Sequence, residues 1–374
     1  MRKNLSILTL LVCCVIFLSS CKEEAAQQTF CIHGTIPGLV AGVEIGLLNA
    51  EDRNADEIAT ATVQKDGEFW LEGKVEHPTL CTLITNNLAL VEEEVAAGNT
   101  QDIKWTYTPV FVDNSDMEIQ VASYDLVPDA PETTNFHIVG SPTHLDYCEF
   151  VSLCGNVEFE RPNIDAALQF FIAHPTSVVS VYAASKLLNN AYNLTAEQVR
   201  QMKQTLTDCP ADTARLNRFK ERVQLAEQTT VGNPVVDLDL VTSDGTRSQL
   251  ADIVKAYEGK LLLIDFWASW CGICRMSTPD IKTLYDSLDR SQFEVISISC
   301  DDNDDAWRDA MKEDQMPWAQ YCLTPDGYKA FFTHYQTSGV PYYLLVNPEG
   351  KVIANPAGVE NVTGMVTKFL KTKK

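Results

Sequence analysis

The chain has 374 residues, 45% of them hydrophobic, with 51 acidic side chains against 29 lysines and arginines and a formal charge of −22. That length suggests two or three domains. Such acidity argues against a nucleic-acid partner, whose phosphates need Lys and Arg patches, and it selects no particular substrate.

The first twenty residues read as a targeting segment. Arg2 and Lys3 precede an apolar run from Leu5 to Phe17, followed by Leu18-Ser19-Ser20-Cys21. A basic start with a short apolar core is a secretory signal, too short for a stable membrane span. Leu-Ser-Ser-Cys resembles the bacterial lipobox, in which the cysteine is diacylated and begins the mature chain. The competing reading is plain cleavage near Ser20, with Cys21 an ordinary thiol. On the lipobox reading, residues 1–20 are the signal peptide, Cys21 is the lipidation site and 21–28 are a tether. Loss of Arg2 and Lys3 then moves the formal charge from −22 to −24. The protein is expected in the bacterial cell envelope, held to a membrane by its acyl chains and facing the periplasm. Lys22-Glu23-Glu24 resembles the acidic export tags of some surface lipoproteins, so surface exposure stands beside the plainer reading of a solvated tether. Past the signal, no run approaches the roughly 18 apolar residues of a span.

Residues 29–143 read as a β-rich domain. Short apolar runs at Val43–Leu48, Ile58–Val63, Leu80–Ile84, Val110–Val112 and Glu118–Val121 alternate with turn signals, which suggests a sandwich or an open barrel. Lys65-Asp66-Gly67-Glu68, between Ile58–Val63 and Phe69–Leu71, predicts a hairpin. The opening Cys31-Ile-His-Gly-Thr-Ile-Pro-Gly and the late Ile138-Val-Gly-Ser resemble a β-rich domain of unknown function that often precedes redox modules in bacterial lipoproteins.

Residues 144–230 switch to helical periodicity and are expected to form a spacer packed between the outer domains. Ala166–Ala173 stops at His174-Pro175, because proline disfavours helix at the residue before it. Ser177–Asn190 follows. Thr195-Ala-Glu-Gln198 is a capping box opening a helix that ends before Cys209-Pro210, and Ala214–Ala226 forms another. No catalytic pattern shows in this region.

Residues 231–374 carry the chemistry. Val235–Leu240 reads as a strand, Asp244-Gly245 as a hairpin turn and Ser248–Tyr257 as a short helix. The apolar run Leu261–Ile264 then feeds Asp265-Phe-Trp-Ala-Ser-Trp270-Cys271-Gly-Ile-Cys274-Arg275. A continuous apolar run followed by a helical pattern suggests a buried parallel strand entering a helix. Cys271 would sit at the helix N-terminus, where unpaired N–H groups and the macrodipole favour a thiolate. Cys274 stands one turn on, within disulfide reach, so one cysteine can attack a disulfide and the other resolve it. A zinc site would need a second ligand pair, and neither another Cys-x-x-Cys nor a His-x(3–5)-His exists. Phe293–Ser299 predicts a strand and Asp301–Asp305 the acidic first turn of a helix, since the cluster lacks the spacing of a calcium loop. Tyr342–Val346 and Lys351–Ala354 predict a terminal hairpin joined by Asn347-Pro-Glu-Gly350, and Val359–Leu370 a closing helix.

Ile-Asp-Phe-Trp-Ala-x-Trp-Cys-Gly-x-Cys is similar to the active-site stretch of thioredoxin, and its flanks resemble the membrane-attached thioredoxin-like reductases of the TlpA/ResA kind. The resemblance covers about the last 140 residues. It implies a multidomain chain in which an all-β domain and a helical spacer precede an α/β thioredoxin-like fold. It also implies Cys271 as exposed nucleophile and Cys274 as buried resolving thiol. Asp265 interrupts an apolar strand, where burial raises a carboxyl pKa unless it is paired. It matches the family's buried aspartate that relays a proton for the resolving cysteine; backbone hydrogen bonding is the structural alternative. Pro341, in Gly339-Val340-Pro341, matches the family's cis-proline, which would leave Val340 to pair with an extended substrate. A trans proline opening a strand is the alternative. Trp270 borders the nucleophile and is expected to shield it, and Arg275 either lends positive potential or stands solvated.

Two departures bear on the assignment. Gly272-Ile273 replaces thioredoxin's Gly-Pro, so its redox poise does not transfer. Ser277 stands where the ResA kind has a glutamate, which puts a cytochrome-maturation role in doubt. The implied function is reduction or isomerisation of protein disulfides, without cofactor or metal, with a membrane thiol transporter as the electron donor. Rivals are a peroxiredoxin-like peroxidase, which would have a threonine where Ala268 stands, and a binding or folding-helper lipoprotein. Of twelve cysteines, Cys31, Cys81, Cys148, Cys154, Cys209, Cys300 and Cys322 stand outside these roles and the signal. Being odd in number, they cannot all pair within the chain, and Cys148–Cys154 is the nearest candidate for a disulfide.

Overall fold

Buried and exposed residues alternate along the first strands, so each offers one apolar face to a shared interior. The computed structural model describes residues 29–372 apart from 53, 87–95, 99–103, 158–161, 189–193 and 357. The signal peptide, Cys21 and the tether lie outside the described residues. The strands β1 (Phe30–Thr35), β2 (Glu44–Asn49), β3 (Ala59–Thr62), β4 (Glu68–Gly73), β5 (Thr79–Asn86), β6 (Trp105–Val112), β7 (Asp116–Val121) and β8 (Phe136–Val139) follow in order. They form two four-stranded sheets, β4-β1-β7-β8 and β3-β2-β5-β6. Ile32, Phe69 and Ile119 from one sheet meet Ile45, Leu47, Leu83 and Val110 from the other in a common core, the arrangement of a sandwich.

The hairpin expected at Lys65–Glu68 does not form. β3 pairs with β2 and β4 with β1, so the turn carries the chain from one sheet to the other. Gly67 fixes it there. Its φ is +79°, and a Cβ at that position would come within 2.0 Å of the Ile36 carbonyl oxygen. The turn is thus clamped to the end of β1, while Val63 and Phe69 on either side both reach the core.

Among the described residues five helices follow: α1 (Pro142–Cys154), α2 (Ile164–Ala173), α3 (Val178–Leu187), α4 (Ala196–Leu206) and α5 (Thr213–Thr229). Ser141 caps α1 ahead of a proline at its first turn, and the Thr195/Gln198 capping box opens α4. Their shared core gathers Phe150, Phe171, Val181, Met202 and Phe219 around Leu80 and Phe111 of the β-domain. His144 of α1 accepts the Phe111 N–H at 3.2 Å, tying helix to strand. Cys148 and Cys154 are both free, against the expected disulfide. Six residues along a helix separate their Cα atoms by about 9 Å of rise, beyond disulfide reach.

The last region is an α/β layer. It comprises β9 (Asp239–Thr242), β10 (Arg247–Gln249), α6 (Leu250–Ala256), β11 (Leu261–Trp267), α7 (Gly272–Ser287), β12 (Phe293–Ser299), α8 (Asp304–Asp314), β13 (Ala319–Leu323), α9 (Pro325–Tyr335), β14 (Tyr342–Val346), β15 (Val352–Ala354) and α10 (Val359–Thr372). One sheet runs β10-β9-β13-β12-β11-β14-β15, with β11, β12 and β13 parallel. Every residue of β11 is buried, as expected of an apolar run broken only by Asp265. The strand expected at Val235–Leu240 begins only at Asp239. Upstream, Val236 gives its N–H to the Tyr335 hydroxyl at 3.0 Å instead of to a ladder. The helical region packs between the outer domains. Arg215 of α5 reaches the Pro78 carbonyl oxygen, and Gln336, just after α9, donates to the carbonyls of Leu188 and Arg222. Among the described residues no helix is long and apolar enough to cross a membrane.

Candidate active site

The site stands where β11 ends and α7 begins. Cys271 is the N-cap residue of α7, in extended backbone, and Cys274 lies in its first turn. The two are joined by a disulfide, with Cα atoms 5.3 Å apart. The Cys274 N–H donates to Cys271 Sγ at 3.3 Å, one of the helix-end donors that would hold a thiolate once the bond is reduced. Cys271 Sγ also stands 3.5 Å from the Val340 carbonyl oxygen. The peptide Val340–Pro341 is cis, and it delivers the chain into β14 beside β11.

The exposed nucleophile implied by resemblance is not exposed in this oxidised form. Cys271 is 6% accessible and Cys274 4%. The disulfide folds Cys271 Sγ in between the helix end and the Val340 carbonyl, which covers it. Around it the surface is apolar and open, because Trp270, Ile273 and Met276 are all exposed. Trp270 forms one wall of a cleft of about 640 Å³ shared with Arg247, Leu323 and Tyr328. It is a feature of the rim more than a cover.

Asp265 is buried in the middle of β11, opposite Ser297 of β12 and Tyr343 of β14. It shares a strand face with Leu261 and Leu263, which pack against Ile281 and Leu284 of α7. One polar chain reaches it: Trp318 Nε1 donates to Ser297 Oγ at 2.8 Å, and Ser297 Oγ donates to Asp265 Oδ2 at 2.8 Å. Burial pushes its carboxyl up to about 7, against the opposing hydrogen bond from Ser297. Near neutral pH such a group can hold or release a proton under the redox helix.

Arg275 does not face the thiol as a free charge. Its Nε and Nη2 fork onto both Asp314 oxygens at 2.8 Å, and Nη2 also meets Glu313 at 2.8 Å, so it ties α7 to the end of α8.

Asp301 was expected in the first turn of a helix and lies elsewhere. Asn303 caps α8, leaving Asp304 and Asp305 in that turn. Asp301 is buried and accepts from the Ser269 N–H at 2.8 Å, from Ser269 Oγ at 2.5 Å and from Ser299 Oγ at 2.5 Å. It therefore braces the loop Ala268–Trp270 that presents Cys271. Its only sequence signal is position, two residues past an apolar strand, where a buried carboxylate needs partners. Among the described residues no group of three or more metal-ligating side chains gathers.

Comparison with known proteins places this geometry. Residues 259–352 match the family model described as thioredoxin-like, and residues 30–147 match a domain of unknown function, DUF4369. Probable nucleoredoxin 2 of Oryza sativa subsp. japonica is 29% identical over 151 residues, covering 39% of this chain and 36% of that protein. This chain thus spans about a third of that relative. The thiol-disulfide oxidoreductase ResA of Bacillus subtilis (strain 168) is 25% identical over 144 residues, 38% of this chain and 73% of its own. Among solved structures, the thioredoxin domain of a thiol-disulfide oxidoreductase from Bacteroides vulgatus shows 29% identity and a TM-score of 0.34, covering 37% of this chain and 97% of that one. The C-terminal region is thioredoxin-like, and a β-rich domain and a set of helices precede it.

Proposed function

We propose that the chain is a protein thiol–disulfide oxidoreductase that works outside the cytoplasm, anchored through lipid at Cys21. The observation that carries this reading is the Cys271–Cys274 disulfide at the first turn of α7, set against the Val340–Pro341 segment. In the reduced enzyme, Cys271 thiolate attacks one sulfur of a substrate disulfide and releases the other as thiolate. Cys274 then attacks Cys271, restoring the Cys271–Cys274 bond and freeing the second substrate sulfur. The substrate gains two electrons and the dithiol loses them. Cys274 gives up a proton as it attacks, and Asp265, near neutral pKa beneath α7, is the group assigned to take it. Trp270 and the Val340 backbone would receive the substrate chain, the latter as an added strand.

Reduction or isomerisation requires the pair to be recharged, and a membrane thiol transporter is the class of donor that fits an anchored protein. The Lys22-Glu23-Glu24 segment and the signal sequence support the envelope placement by resemblance alone. Insulin reduction by wild type and Cys271→Ser tests the chemistry. Activity is expected to vanish in the variant, and unchanged turnover refutes the assignment. Acid-quenched alkylation in cells then gives direction: a mostly reduced pair fits a reductase or isomerase, and a mostly oxidised pair removes that reading.

A further inference from the structure

A cavity of about 320 Å³ opens where α3 and α5 meet the end of β2. Lys186, Arg215, Arg218 and Arg222 line it, with Glu51 as the one carboxylate of the lining. The chain has only 29 lysines and arginines against 51 acidic residues, so four cations at one hollow run against its composition. Arg215, Arg218 and Arg222 recur at i, i+3 and i+7, which places them on one face of α5. Like charges held this close repel unless a counter-charge sits among them.

The members differ in what already holds them. Arg215 is buried and engaged, donating to Glu51 at 2.6 Å and to the Pro78 carbonyl, with Asp212 at 3.1 Å. Arg222 donates to the Ser185 carbonyl, which fixes its guanidinium beside α3. Lys186 lies over the Tyr182 ring, 5.6 Å from its centre. Arg218, by contrast, makes no hydrogen bond or ion pair among the described residues. Ser185, 6% exposed, carries a buried hydroxyl with no hydrogen-bond partner. An unpartnered hydroxyl in such a place is costly to the fold and is found where a further group completes it.

We propose that this cavity binds the phosphate group of a small ligand. A cavity lined by guanidinium groups, an ammonium and a residue with an unpartnered hydroxyl suits a compact, multiply charged oxyanion better than a flat carboxylate. At about 30 Å³ per water-sized volume, the cavity holds a phosphate with a short organic remainder. Two sources share this chemistry: a soluble phosphate or phosphomonoester, and a phospholipid headgroup.

The test is calorimetric titration of the full chain in nonionic detergent with three probes: inorganic phosphate, glycerol 3-phosphate and phosphatidylglycerol in mixed micelles. Saturable binding is expected with at least one probe, weakened about tenfold or more by Arg218→Gln, as loss of a charged donor implies. Ser185→Ala, which removes a hydroxyl and adds no bulk, is expected to weaken it in the same direction. Insulin turnover and the urea unfolding midpoint are not lowered in either variant, so lost binding is not lost folding. Binding of either soluble probe assigns the free source, and binding of the lipid alone assigns the membrane. No saturable binding of any probe up to about 10 mM overturns the proposal, as does binding that Arg218→Gln leaves undiminished.

Discussion

Two carboxylates are buried against the same strand, β12, and they are provided for in opposite ways. Asp265 is 3% exposed and receives one side-chain hydrogen bond, from Ser297. Asp301 is 7% exposed and receives three, two from Ser269 and one from Ser299. Burial is nearly equal, so the supply of donors separates them. A buried carboxylate with its oxygens filled is a clamp, and it holds the loop that carries Cys271. One with a single donor is a proton site, because desolvation is left to favour the neutral acid. The redox domain thus keeps rigidity and proton transfer on different residues.

The largest effect that would sharpen this contrast is on stability. The Asp265 pKa of about 7 lies above the ordinary aspartate value of about 4 in an unfolded chain. Between those values the native chain holds a proton that the unfolded chain has lost, so stability falls as pH rises from about 4 to about 7 and is level beyond. Asp265→Asn removes that titration. It is expected to be more stable than wild type by up to about 4 kcal/mol at pH 8, with the difference gone by pH 4. Urea unfolding across that range checks it, and a gap independent of pH would break the comparison.

Asp301→Ala should do the reverse. Three donors lose their acceptor, at a cost of about 3 kcal/mol, and the Ser269 amide should exchange its hydrogen faster. A loss below about 1 kcal/mol would mean that the loop is held by something else. Next comes a kinetic effect. Asp265→Ala is expected to slow resolution by Cys274 about a hundredfold, equivalent to about 2.7 kcal/mol, while the first attack by Cys271 stays nearly intact. Mixed-disulfide lifetimes measure this, and equal lifetimes in variant and wild type remove Asp265 from the mechanism.

The contrast between the two carboxylates is half legible in the sequence. Asp265 announces itself by breaking an apolar strand, and Cys271, Cys274 and Pro341 stand in linear motifs whose neighbours specify them. Asp301 sits in a run of aspartates that read as one solvated helix start; only the fold shows that β12 delivers the first of them to Ser269. Contacts made across the chain are missed for the same reason elsewhere. Little in the 319–335 segment signals its fold, since its strand is short and Pro325 and Gly327 look like turn residues. In the structure Thr324 caps α9 through the Gly327 N–H, and Gly327 is required because a Cβ there would meet the Asp239 carbonyl at 2.2 Å. Asp66-Gly67 carries a true hairpin signature, yet Gly67 answers to Ile36, far away in sequence. The basic stripe of α5 was readable at i, i+3, i+7, but a solvated face has the same spacing. Only the position of Ser185 and Lys186 on α3 turns it into a cavity.

The smallest effect concerns the charge nearest the thiols. Arg275 follows Cys274 directly, and a cation there could be credited with lowering the Cys271 pKa in place of the helix end. The structure commits it elsewhere: both Asp314 oxygens and Glu313 take its guanidinium, and the ion pairs raise its own pKa above the ordinary arginine value. Two carboxylates against one cation leave no net positive field for the thiolate. The partners close the C-terminus of α8, where a cation is favourable. The side chain is about a third exposed, so screening limits the contribution to about 1 kcal/mol. Arg275→Ala should therefore lower stability by that amount and leave the thiolate fraction of reduced Cys271 within about twofold of wild type, read from the pH dependence of alkylation. A rise of a full unit in that pKa would return the poise of the nucleophile to Arg275. No change would leave it with the Cys274 N–H and the first turn of α7.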